Sequence, residues 1–183
     1  MFNLPISNPL TWKQNSITSR TYTLKQDEQP LAHLYYTGTF NNEALVHLPT
    51  NDKNDWLLKF DRQGVFNTMI TSKATNAAIP ATKPMKLNWS GKGEVVLGNG
   101  RSFRWHPLDT LHTQWGFLDE QRNVAIEFKQ CAWTTGGKII IHDNSLKAGE
   151  LNLLTTLGWY KSIHHTQEMM AVAVAVFVII IAI

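Results

Sequence analysis

The sequence is short of almost everything that would name a chemistry. It has one cysteine, Cys131, so no internal disulfide can form, and a fold stapled by bridges is excluded. No HExxH, paired-cysteine, Walker, dinucleotide-binding or serine-elbow pattern occurs. Acidic residues are too sparse around Asp119-Glu120 and Asp143-Asn144 to predict a cage for a hard cation. The 17 Lys and Arg against 14 Asp and Glu are interspersed, without a basic block, which argues against a nucleic-acid protein. The opening Met1-Phe2-Asn3-Leu4-Pro5-Ile6-Ser7-Asn8 lacks the basic and apolar stretches of a secretory leader, and cytoplasmic residence is the expectation.

What is present begins with rhythm. From Leu10 to about His142, short apolar-polar stretches are cut every eight to twelve residues by turn chemistry, as in an all-β domain. Thr21–Leu24, Leu31–Tyr36, Ala44–Leu48, Trp56–Phe60, Val65–Ile70, Met85–Trp89, Glu94–Leu97, Ser102–Trp105, Gln114–Leu118, Val124–Phe128 and Lys138–His142 read as strands. Asn99-Gly100 predicts a type I′ hairpin turn, and 71–83 a short helix or irregular crossover ended by Pro80. Val124, Ile126 and Phe128 alternate with Ala125, Glu127 and Lys129, predicting one apolar and one wet face. Ten to twelve such strands favour a closed or nearly closed barrel, which removes exposed edges.

The second signal is terminal. Met169–Ile183 is free of charge over 15 residues, and helix is favoured over strand because so long a strand is unusual. A bilayer span needs about 20 apolar residues, whereas this run reaches only roughly 22 Å. It is therefore expected as a central helix at about 167–183 plugging the barrel, with membrane insertion as the rival. Glu150–Ile163, just before it, is Leu-rich with a period ambiguous between helix and strand, and Gly158 weighs against an uninterrupted helix.

With Asp61-Arg62-Gln63-Gly64, Gly98-Asn99-Gly100-Arg101-Ser102-Phe103-Arg104-Trp105, Trp115-Gly116-Phe117-Leu118-Asp119 and the terminal run, residues 10–183 resemble the tubby C-terminal-like superfamily, in its LURP-one-related and phospholipid-scramblase-like branch. The resemblance implies a single domain after an extension at 1–9: a mostly β fold of about 12 strands closed around a hydrophobic C-terminal helix. It also implies a non-enzymatic role, binding an anionic phospholipid surface or a protein partner at a membrane.

Composition marks Lys83, Lys86, Lys92, Arg101 and Arg104 as candidate lipid- or phosphate-binding residues, against the alternative of an ordinary solvated face. No cofactor or metal is expected. A tail-inserted membrane protein is the second reading, and a hydrolase or metal enzyme with His106, His112 or Cys131 at one barrel end the third. Cys131 reads as a half-buried small hydrophobe beside Trp133, and the seven tryptophans as core volume.

Overall fold

The computed structural model describes residues 9–16, 19–37, 43–47, 56–61, 66–72, 85–87, 91–131 and 136–181. Twelve antiparallel strands are followed by one helix. The strands are β1 (Leu10–Gln14), β2 (Thr21–Gln26), β3 (Gln29–Tyr36), β4 (Glu43–His47), β5 (Trp56–Asp61), β6 (Phe66–Ser72), β7 (Met85–Leu87), β8 (Gly93–Val96), β9 (Ser102–Pro107), β10 (Gln114–Leu118), β11 (Val124–Gln130) and β12 (Gly136–Ile141). The helix is α1 (Ala148–Ile181). Side chains are described as far as Gln167, without those of β5, β6 and, Met85 apart, β7.

Each strand pairs with its sequence neighbours, and β1 pairs with β12, placing Leu10 opposite Ile139 and Lys13 opposite Gly136. The alternation expected of half-buried strands holds in β1, β3, β4, β9 and β12, whose inward residues are buried and whose outward ones are wet. Inward side chains from Leu10, Leu24, Leu34, Val46, Phe103, Phe117, Ile126, Phe128 and Ile139 form one core with α1.

The expected closed or nearly closed barrel around a central helix at about 167–183 needs correction in both its parts. The wall with described side chains is an open arc of nine strands, β8 to β12 and then β1 to β4. Backbone pairing of β5, β6 and β7 joins the arc's two ends, and the β7–β8 seam matches only two register positions, Lys86 with Glu94 and Leu87 with Gly93. The helix, too, begins about twenty residues earlier than expected. Its buried section is Leu151–His164, and the side chains of Met169–Ile183 lie outside the described residues.

Gly158 explains why the helix ran on where the sequence argued against it. A Cβ there would stand 2.2 Å from Phe128 Cζ, so glycine is what lets α1 approach β11. Helix propensity yields to packing, because the buried section is enclosed and shows no polar face from which to read a period.

Three local expectations also change. The 97–101 hairpin is a three-residue loop: the Leu97 N–H donates to Arg101 O at 2.8 Å, and Gly100 alone of the pair has positive φ. Asn99 instead accepts the Arg101 N–H on Oδ1 at 3.1 Å, so its side chain stabilises the turn without a positive φ of its own. The outer face of β11 is not simply wet, since Ala125 and Glu127 are buried and the register shifts beside the β10 end. Cys131 is exposed, not half-buried. Trp12, Trp105, Trp115 and Trp159 supply core volume. The 73–83 part of the crossover, with Lys83, lies outside the described residues, as do Trp89 and Trp133.

Candidate functional site: the two ends of the sheet

Helix α1 has a fixed direction within the sheet. At its start, Glu150 occupies the third helical position and accepts the Lys147 N–H at 2.9 Å, one half of a capping box that also places a carboxylate at the positive end of the helix dipole. The same carboxylate accepts from Asn99 Nδ2 at 2.6 Å and from Arg101 Nη1 at 3.0 Å. Arg101 donates its other arm to Asp143 at 3.2 Å and lies over the Phe103 ring. Burial would raise the Asp143 pKa, but hydrogen bonds from Ser145 and the Arg101 charge outweigh it and hold the carboxyl below its usual 3.8. This cluster ties the β8–β9 turn, the β12 exit and the start of α1 together.

The opposite end is aromatic. Gln130 Nε2 donates to Ser162 O at 2.7 Å, and Gln167 Nε2 donates to the Tyr22 hydroxyl at 3.1 Å. Burial lifts the Tyr22 pKa above 10.0, partly offset by that bond. Trp115 stacks on Trp105 with centroids 5.5 Å apart, and its Nε1 donates to His112 O at 2.9 Å. The His165 ring packs against Trp115 at 5.1 Å and lies 6.4 Å from His112. Gln14, Tyr22, Tyr36, Gln130 and Trp115 thus ring the point where α1 leaves the sheet.

The connection from β9 to β10 is built tightly at this end. Asp109 accepts from the Thr113 hydroxyl and from the Gln114 N–H at 3.0 Å. Although burial opposes it, these bonds and the nearby His112 keep the Asp109 carboxyl below its usual range. Leu108 folds over Gly116, where a Cβ would lie 2.9 Å from Leu108 Cδ1. His112 turns the chain with φ 56°. Leu111, between them, stands 80 % exposed.

The five basic candidates do not form one patch. Lys92 lies just before β8 at the end where α1 leaves, whereas Arg101 lies at the end where it begins, engaged by two carboxylates. Arg104 sits between them on β9, its backbone opposite Glu94 and Leu118 and its side chain exposed. Lys86 is in β7 opposite Glu94, its side chain outside the described residues, as is all of Lys83.

His106, His112 and Cys131 are all exposed, and the His106 ring is engaged at Nδ1 with Pro107 O, 2.7 Å away. Among the described residues, no group of three or more His, Cys, Asp or Glu is placed to hold a metal ion. A shallow cavity of about 320 Å³ opens beside the start of α1, lined by Arg101, Phe103, Asp119, Glu120 and Asp143 among others. Its charged groups already satisfy one another or the backbone.

Of the residues that grip α1, the sequence pointed to Arg101, and for a different role. Glu150, Gln130 and Gln167 look like ordinary surface polar residues in the sequence. Leu111 shares its connection with Leu108, and the sequence does not show which of the two is exposed.

No family model, curated protein or solved structure matches this chain. The resemblance to tubby-like domains accordingly assigns no residue role here. Among the described residues, no helix is long and apolar enough to cross a membrane.

Proposed function

We propose that this protein is a non-catalytic β domain attached to a membrane by the C-terminal half of its helix. A mismatch of lengths carries the reading. α1 is one helix of 34 residues, about 51 Å at 1.5 Å per residue. The longest strand, β3, has 8 residues, or about 26 Å before any tilt. The sheet has room for one half of the helix, and the buried Leu151–His164 takes it.

The remaining half continues into Met169–Ile183, which carries no charged or hydrogen-bonding side chain. A helix apolar on every side needs an apolar surrounding, and a bilayer provides one. Fifteen residues reach roughly 22 Å against a hydrocarbon core of about 30 Å, so the tail enters lipid without having to cross it.

Flotation with phospholipid vesicles tests the reading. The full chain is expected to float and to resist an alkaline wash, while a chain ending at Gln167 stays in the aqueous fraction. Equal behaviour of the two chains would overturn it.

A further inference from the structure

We propose that the end of the β domain where α1 leaves the sheet is a lipid-facing surface, set against an anionic headgroup layer, with the opposite end turned away. This rests on the reading that the C-terminal half of α1 enters lipid, and it adds an orientation and a second set of contacts.

Three independent features coincide at that end. The first is the direction of α1, fixed by Glu150 at one end and by Gln130, Gln167 and His165 at the other. The second is apolar exposure. The two large hydrophobic residues found exposed among the described residues are Leu111, at 80 %, and Tyr35, at 37 %. Leu111 belongs to the β9–β10 connection beside His112 and Trp115. Tyr35 is one residue before the end of β3, next to the Tyr36 that packs on Tyr160. One exposed leucine is ordinary on a protein surface. A leucine held out by a hydrogen-bonded loop at the rim from which an apolar helix departs is placed to be buried when that helix is.

Charge is the third feature. Among the described residues, the end where α1 begins carries Asp27, Glu28, Asp119, Glu120, Asp143 and Glu150 against Lys25, Arg101, Arg122 and Lys147. The end where it leaves carries Lys13, Arg20 and Lys92 against Glu43 and Asp109, while Lys129, Lys138 and Glu127 lie further along their strands towards mid-sheet. Asp109 is already engaged by Thr113 and Gln114, and Lys129 lies by Glu127 at 3.1 Å. The acidic end would be repelled by an anionic leaflet and the basic end drawn to it, so field and apolar contact favour the same orientation. Each basic residue near such a surface strengthens association about fivefold. Burying one leucine adds roughly tenfold to a hundredfold.

Depth measurement on the full chain tests the orientation. With Cys131→Ser as background, a nitroxide is attached at Leu111→Cys or, at the far end, at Glu120→Cys. The proteins are bound to phosphatidylcholine vesicles containing phosphatidylserine. Collisions with lipid-dissolved oxygen should dominate at position 111, and collisions with a water-soluble nickel chelate at position 120.

The variant combining Lys13→Gln, Arg20→Gln and Lys92→Gln should lose about a hundredfold in affinity for the phosphatidylserine vesicles. Its attachment to pure phosphatidylcholine should stay unchanged. Should the full chain bind vesicles while position 111 remains as water-exposed as position 120, the orientation is wrong and the tail attachment survives. Should the full chain bind neither kind of vesicle, both readings fall.

Discussion

Leu151–His164 includes Asn152, Thr155, Thr156, Lys161, Ser162 and His164 and is buried in the sheet, whereas Met169–Ile183, which we propose enters lipid, is apolar throughout. Hydrophobicity alone would have sent the second segment inside. Fit decides instead. The first segment offers a glycine where Phe128 needs room, Trp159 and Tyr160 as two of the largest fully buried side chains, and a carbonyl at Ser162 for Gln130. The second repeats Ala, Val and Ile, which carry no register for a particular wall. A core is selected by complementary shape and by satisfied polar groups, while a uniform oily rod suits a fluid surrounding.

The buried half accepts a cost for its polar content. Asn152 Oδ1, Thr155 Oγ1, Trp159 Nε1 and Ser162 Oγ are buried without a hydrogen-bond partner among the described residues. Each such group costs about 1–3 kcal/mol relative to a paired one. A helix that merely needed to be hidden would carry none of them.

The sharpest way to break this comparison is to remove the fit. Gly158→Val would drive two methyl groups into the Phe128 ring, and a loss of about 3 kcal/mol or more is expected by urea denaturation. Adding Phe128→Ala should recover part of it, since the two positions share the same space. A Gly158→Val protein as stable as the parent would show that α1 is not seated against β11.

A smaller effect should come from the end where α1 begins. Arg101→Ala removes both ion pairs of a partly exposed cluster, with an expected cost of about 1 kcal/mol at neutral pH after allowance for solvent screening. Asp143 has a native pKa below its unfolded 3.8, so its contribution is complete above that value and is lost as pH falls through the native one. The stability gap between parent and variant should therefore narrow in that acidic range. A gap that widened there would mean the cluster is not held by the charged carboxylate.

Thr155→Val should act in the opposite direction. It replaces an unpartnered buried hydroxyl with a methyl of similar volume, and a gain of about 1 kcal/mol is expected, read as a higher denaturation midpoint. A loss of the same size would indicate that the hydroxyl is satisfied after all.

The strands were legible in the sequence because their alternation survives the fold. Trp56–Phe60, Ser102–Trp105 and Gln114–Leu118 come within two residues of β5, β9 and β10. β1 was harder to read, its five residues carrying only two outward side chains to mark the period. The helix was misplaced for a physical reason. The plainest hydrophobic run drew the assignment, while the actual core segment, enclosed on its sides and holding a glycine at its closest contact, lacks the periodic polar face that identifies a surface helix.

The candidate site was legible only as residue types. Lys92, Arg101 and Arg104 lie within thirteen residues of one another, yet the hairpin carries Lys92 and Arg101 to opposite ends of the sheet. Local sequence cannot show that separation, because strand direction assigns it. Gln167 owes its position to a contact far along the chain.

The division of α1 into a half that holds the fold and a half that does something else is tested most directly by ending the chain at Gln167 and following its urea denaturation by near-ultraviolet circular dichroism. The expected result is a cooperative transition at the midpoint of the full chain. A shortened chain with no near-ultraviolet signal and no cooperative transition would contradict it, and would return the terminal run to the core.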